Sequence, residues 1–152
     1  MKKLDNQKKN KIYRDLSTKL KKAIENTFYY EAVFIEYAII EDRMESLMRH
    51  GLIPYHDEFG YVLSLDKKLK AIKHSRLLKD DYIAKHLTSE LLESIDSWRK
   101  RRNKVIHELI SANYDNENIK ALALKGQDIV RILNNKSVLV NKYNDKRHAV
   151  QR

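Results

Sequence analysis

Glycine occurs three times and proline once in 152 residues, and this scarcity of chain breakers constrains the fold more than any other feature. Gly51, Pro54 and Gly60 fall in one stretch, and Gly126 stands alone. Glycine interrupts a helix through backbone entropy, and proline through its missing N–H and a ring clash. A chain almost free of both outside one segment is predicted to be overwhelmingly helical.

Apolar spacing divides the chain into about five helices. The first spans 11–26, with Ile12, Leu16, Leu20 and Ile24 on one side. The second runs from Thr27, a candidate N-cap, to His50, and Gly51 stops it. Its apolar set, from Ala32 and Val33 through Ile35, Ile39, Ile40 and Met44 to Leu47 and Met48, is broad enough for the central helix of a bundle. The stretch 51–63 is the one long loop. A third helix follows Ser64 over 65–78, carrying Leu65, Leu69, Ile72, Leu77 and Leu78. The fourth covers 82–101, with Ile83, Leu87, Leu91, Leu92, Ile95 and Trp98 facing inward. It either continues into the basic run after it or breaks before it. The polar turn Asn113 to Asn118 precedes a last helix over 117–143, in which Gly126 costs about 1 kcal/mol relative to alanine. Close packing against a neighbour is the expected reason for it. The expectation is an all-α up-down bundle in a single domain of 1–152, with basic, frayed ends at 1–10 and 144–152.

Residues 98–109 carry the chemistry: Trp98, Arg99, Lys100, Arg101, Arg102, Asn103, Lys104, Val105, Ile106, His107, Glu108 and Leu109. Arg102 is a permanent cation whose planar fork matches phosphate, and His107 is the side-chain type that exchanges protons near neutral pH. An RNA-cleaving site needs a base for a 2′-hydroxyl, charge stabilisation at phosphorus and an acid for the leaving oxygen. These two residues supply the minimum parts without a metal. On a straight helix, five steps place Arg102 about 140° away from His107. Asn103 and His107 share a face with Arg99, whereas Arg102 falls on the apolar stripe of Ile95, Trp98, Val105, Ile106 and Leu109. An unpaired arginine buried there costs several kcal/mol. A helix break before Arg102, a carboxylate partner or a second subunit would relieve that cost. The alternative is a basic stretch at a helix end whose arginines are simply solvated.

Arg102, Asn103, the three residues Lys104, Val105 and Ile106, and then His107 resemble the motif of the HEPN superfamily. The helical chain of domain size agrees with that family, as do the position before the last long helix and the amphipathic helix ending in Trp98. The resemblance covers most of the chain in architecture and six positions in motif. It implies an up-down helical bundle that dimerises with its two motifs facing, and many members are metal-independent endoribonucleases of toxin or defence systems. In one subgroup a tyrosine stands two residues after the histidine; here that position is Leu109, and Tyr114 lies too far on. On this resemblance, His107 acts as general base and the partner subunit's His107 as acid, Arg102 stabilises the phosphorane, and Asn103 orients His107 or the phosphate. Arg99, Lys100, Arg101 and Lys104 would grip the flanking RNA backbone. No cofactor or metal is expected, and the expected partners are RNA, a second copy of the chain and an antitoxin or regulatory protein. HEPN-like relatives also include non-catalytic modules that bind a nucleotide or nucleic acid or regulate another protein, and that alternative stays open.

The net charge of +10 is uneven. Residues 1–27 contribute +6 and residues 136–152 contribute +4, while 28–135 holds seventeen charges of each sign. Five of those seventeen cations lie between Arg99 and Lys104, a basic island that favours a polyanion partner. Solubilising chain ends are the plainer account of the termini. Cysteine is absent, which excludes disulfides and thiolate zinc sites. No apolar run approaches the roughly 20 residues that span a bilayer, and no signal-peptide core follows the first lysines, so a cytoplasmic location is expected.

Weaker candidates remain. His56 with Asp57 and Glu58 lacks a second histidine at metal-ligand spacing. His50, His74, His86 and His148 sit among polar neighbours and are expected to be exposed. Glu36, Glu41, Asp42 and Glu45 read as a solvated, salt-bridged face rather than a divalent-cation site. Tyr29, Tyr30 and Tyr37 either stack on unpaired bases or seal an interface, the latter being favoured. No phosphate loop, nucleophile elbow or zinc-protease signature occurs.

Overall fold

The computed structural model describes residues 6–76, 81–109, 111 and 115–150. Among them are six α-helices: α1 (Asn6–Glu25), α2 (Tyr29–His50), α3 (Leu65–Arg76), α4 (Asp81–His86), α5 (Ser89–His107) and α6 (Asn116–Val150). The all-helical bundle expected from the scarcity of breakers is what the chain forms. Residues 6–10 and 144–150, expected to fray, are helical, whereas 1–5 and 151–152 lie outside the described residues. Leu77, Leu78, Asn113, Tyr114 and the side chains of Ile83 and His148 also lie outside them.

Helix α2 is the axis of the bundle. Its predicted apolar set is buried throughout, from Ala32 to Met48. Three contacts fix its direction against α6: Glu36 abuts Gly126, the Arg43 Nε–H donates to Asn134 Oδ1 at 2.8 Å, and His50 Nδ1 meets Asn144 Nδ2 at 2.8 Å. The numbers rise together, so the two helices run parallel. Helix α5 runs the other way along α6, since His86, just before it, approaches Lys136 while Trp98 Nε1 donates to the Leu122 carbonyl at 3.0 Å. Helices α2 and α5 are therefore antiparallel. Helix α1 folds back on α2 through Tyr13, whose hydroxyl donates to Asp42, and through the Lys9–Asp42 ion pair at 3.1 Å.

Local chemistry explains where the helices begin and end, and it corrects two boundaries. The single helix expected over 82–101 is two, because Thr88 adopts an extended backbone and its hydroxyl accepts the Leu91 N–H at 3.2 Å. Such a cap contributes about 1 kcal/mol, and α5 starts afresh from it. Thr27 is not the cap of α2. It takes a left-handed conformation (φ 61°), and Phe28 occupies the cap position without a side-chain hydrogen bond. Gly51 does end α2, its N–H donating to Leu47 O at 2.9 Å, although the left-handed residue is Leu52 (φ 56°). The loop beyond is a small turn in which Asp57 Oδ1 accepts the N–H groups of Phe59 and Tyr61 at 3.0 and 2.9 Å. This bonding uses one of the two oxygens of the Asp57 carboxylate.

At the crossing of α2, α5 and α6 lies the least expected residue. Glu36, predicted on a solvated face, is fully buried, and neither carboxyl oxygen has a hydrogen-bond partner. Its head sits where a side chain at position 126 would project: a Cβ built on Gly126 would lie 2.6 Å from Glu36 Cδ and 2.9 Å from Trp98 Nε1. The close packing expected of Gly126 is thus observed, and the neighbour is an acid. Burial pushes the Glu36 carboxyl up from an ordinary 4.5 to about 9, so the folded chain holds a proton that the unfolded chain releases. Stability from this group is greatest below about pH 4 and falls as pH rises to about 9, with a slope of at most about 1.4 kcal/mol per pH unit. Glu36→Gln should remove that slope. In urea unfolding, the stability of the variant relative to wild type should rise steadily from about pH 5 to 9, and a difference flat in pH would refute the assignment.

Candidate functional site

Helix α5 carries the whole basic run without a break: its last residue is His107, and the N–H of Glu108 closes the end on Lys104 O at 3.0 Å. Of the three ways to relieve Arg102, a helix break is thereby excluded. No carboxylate pairs with Arg102 among the described residues. Its guanidinium instead lies over the ring of Tyr37 on α2, with Cζ 4.1 Å from the ring centroid, and its Nη1–H donates to Asn103 Oδ1 at 3.0 Å. Nε is enclosed and has no acceptor. The stripe to which Arg102 belongs begins as core, with Ile95 and Trp98 buried, and ends at the surface, where Ile106 and Leu109 are 39% and 40% exposed. Arg102 stands half-buried at that boundary.

His107 is exposed in the last turn of α5. On an unbroken helix it stands about 140° around the axis from Arg102, so one chain does not bring the two side chains to one face. Asn103 links the two sides. It accepts from Arg102 and lies one turn before His107 on the row that includes Arg99.

The four cations expected to grip RNA divide into two kinds. Arg99 is 16% exposed and clamped between Asp66 of α3 at 3.0 Å and Asp96 at 2.8 Å. Lys100 pairs with the same Asp96 at 2.8 Å, and Lys104 lies 3.9 Å from Glu108 on the open surface. Arg101 is exposed and, like Arg102, has no carboxylate partner among the described residues. It borders a cavity of about 400 Å³ between α5 and α6 that also takes in Glu90, Glu93 and Lys125; mixed charge makes this a poor anion site. Hydrogen bonding from Lys70, with the charges of Lys70 and Arg99, holds Asp66 below the usual carboxylate range. Burial works against ionisation of Asp96, yet the bonds from Lys100 and Arg99 outweigh it and lower its pKa. Arg99 therefore ties α3 to α5 through its two ion pairs.

Around this row lies a second network that spacing does not reveal. Lys68 of α3 is fully buried and reaches Glu41 at 3.7 Å and Glu45 at 3.8 Å, both on α2. Glu41 also lies near Tyr37, whose hydroxyl pKa is raised by burial first and then by the charge of Glu41. The acidic face of α2 is thus spent on internal partners, and Tyr37, expected to stack on bases or to seal an interface, instead lies under the Arg102 guanidinium. Two histidines also depart from expectation. His50 and His86 are half-buried, and burial followed by nearby cations lowers both pKa values. Among the described residues, no three potential ligands cluster to hold a metal, and no helix is long and apolar enough to cross a membrane.

No family model, curated protein or solved structure matches this chain. The HEPN resemblance therefore rests on the six motif positions and the helical architecture.

The division of the basic run makes a direct forecast. Arg99→Ala should lower the unfolding free energy by about 1 kcal/mol near neutral pH, and Arg101→Ala should leave it within about 0.5 kcal/mol. Because Asp66 and Asp96 are depressed in the fold, the Arg99 contribution is fully present above about pH 4 and disappears as pH falls further. Urea titrations of both variants at neutral and acid pH check this, and equal costs would contradict the division.

Proposed function

We propose that this chain is a metal-independent endoribonuclease of HEPN type that works as a homodimer, with Arg102, Asn103 and His107 of each copy contributing to a composite site. The observation that carries the reading is Arg102: a half-buried guanidinium with no carboxylate partner among the described residues, propped on Tyr37 and hydrogen-bonded to Asn103 at 3.0 Å. A cation held in place without a counter-ion suits an anionic ligand. In the proposed reaction His107 takes the 2′-hydroxyl proton as that oxygen attacks phosphorus. Arg102 stabilises the charge gathered there, and the partner subunit's His107 protonates the departing 5′-oxygen. The products are a 2′,3′-cyclic phosphate and a 5′-hydroxyl. Arg101, with Lys104, offers cations to the flanking phosphates.

The separation of Arg102 and His107 around α5 supports a second copy, because a two-fold axis lets an arginine of one chain serve the histidine of the other. The surface supports it too. Phe34, one turn before Tyr37 on α2, is 73% exposed, and Ile106, one turn after Arg102 on α5, is also exposed. Since α2 and α5 are antiparallel, these residues lie toward the same end of the bundle, each on the face of one member of the stacked pair. An apolar surface of that kind beside unpaired charge suits self-association.

The same separation favours one other reading, a monomeric module that binds RNA without cutting it. EDTA-treated protein should cleave single-stranded RNA, and His107→Ala should lower the rate by about 10²–10⁴-fold while RNA binding persists. Phe34→Asp should yield a folded monomer by light scattering and lose cleavage with it. Wild-type protein that stays monomeric and binds RNA without cutting it, with EDTA present, would establish the second reading in place of the first.

A further inference from the structure

The flexible Arg102 stem rises from a stripe of α5 whose other members are apolar. Three contacts hold its head, one of them from the next residue of the same helix. The ring of Tyr37 lies beneath the guanidinium, with Cζ 4.1 Å from the centroid, Asn103 Oδ1 accepts from Nη1 at 3.0 Å, and the surrounding atoms enclose Nε. With Nε sealed, the side-on fork formed by Nε and Nη2 is closed to any ligand. That leaves the terminal Nη groups, of which Nη1 already bonds Asn103, to meet a phosphate oxygen. Beside Tyr37 on α2, Glu41 is held by the fully buried Lys68 of α3 at 3.7 Å.

We propose that Tyr37 is a positioning residue, a pedestal that presents the free edge of the Arg102 guanidinium to the RNA phosphate. This deepens the reading of Arg102 as part of the RNA site and rests on it. A face-stacked guanidinium gains about 0.5–1 kcal/mol where partly exposed, which converts to roughly a two- to fivefold effect on a contact that depends on its orientation. The aromatic face does this work, not the hydroxyl. Tyr37→Phe should therefore largely preserve the function and Tyr37→Leu should weaken it by about that two- to fivefold factor.

Two measurements test the pedestal without relying on catalysis. In nuclear magnetic resonance spectra of the full chain, ring current should displace the Arg102 guanidinium signals, and the displacement should survive Tyr37→Phe and His107→Ala but vanish in Tyr37→Leu. Affinity for a 2′-O-methyl oligouridine, which lacks the attacking hydroxyl, should fall about two- to fivefold in Tyr37→Leu. In an Arg102→Ala background the same change should have no further effect. An undisplaced Arg102 signal in a wild-type chain that binds the oligonucleotide overturns the pedestal and spares the site. So does a Tyr37→Leu protein of native helicity that binds as tightly as wild type. A displaced signal in a chain that does not bind the oligonucleotide instead overturns the RNA site and, with it, the role given to Tyr37. Loss of cutting in His107→Ala concerns the chemistry alone, so the failures are separable.

Discussion

The close approach of α2, α5 and α6 around Glu36 is the contact on which the rest of the structure depends. Gly126 leaves a notch in α6, the Glu36 side chain fills it, and Trp98 closes it from α5 while giving its own N–H to the Leu122 carbonyl. A side chain at 126 would force the acid or the indole to move, and overpacking of a filled core costs about 1–3 kcal/mol. The notch therefore sets how near α6 comes to α2 and at what height Trp98 stands. Arg102 follows Trp98 by one turn, and Tyr37 follows Glu36 by one residue, so the stacked pair inherits its meeting point from the buried acid. The candidate site and the core are one construction.

Around that core, charge is used in two ways that magnitude separates. Exposed pairs such as Lys70 with Asp66 or Lys104 with Glu108 contribute little, because water and salt screen them. Lys68 is different. Its ammonium is buried between Glu41 and Glu45, and removing both acids would leave an uncompensated charge costing several kcal/mol. Helix α3 is short, and this cation together with the Asp66–Arg99 pair ties it to both α2 and α5. Anchoring α3 in this way turns one flank of the basic run inward. It leaves Arg101 and Arg102 as the cations of that run without a carboxylate among the described residues.

Much of this was legible in the sequence where the signal is local. The absence of breakers specified helices, the apolar period named the core of α2 residue by residue, and the isolated glycine announced a close neighbour. Boundaries failed where one residue outweighed the period. The apolar spacing runs smoothly from Ile83 to Trp98, yet the Thr88 hydroxyl captures a backbone N–H and starts a new helix there. Asp96, three and four residues before Arg99 and Lys100, could have been read as their partner from spacing alone. Asp66 and Tyr37 could not, since they are remote in sequence and meet α5 only after α2 and α3 have packed. Glu36 misled for the opposite reason: its neighbours Glu41, Asp42 and Glu45 made one acidic surface of what is, one turn earlier, the centre of the bundle.

Arg102 poses a question that stability alone does not answer. An enclosed Nε with no acceptor costs about 1–3 kcal/mol, and stacking on Tyr37 returns about 0.5–1 kcal/mol where the group is partly exposed. One hydrogen bond to Asn103 adds about 1 kcal/mol more. These terms roughly cancel, so a leucine or methionine at 102 would serve the fold at least as well on a stripe already made of Ile95, Trp98, Val105 and Ile106. What an apolar residue would not provide is a positive edge, fixed in direction and without a counter-ion, at the point where the core stripe reaches the surface. The energetic neutrality of the arginine is thus informative. It agrees with the proposed RNA site, in which that edge would meet a phosphate.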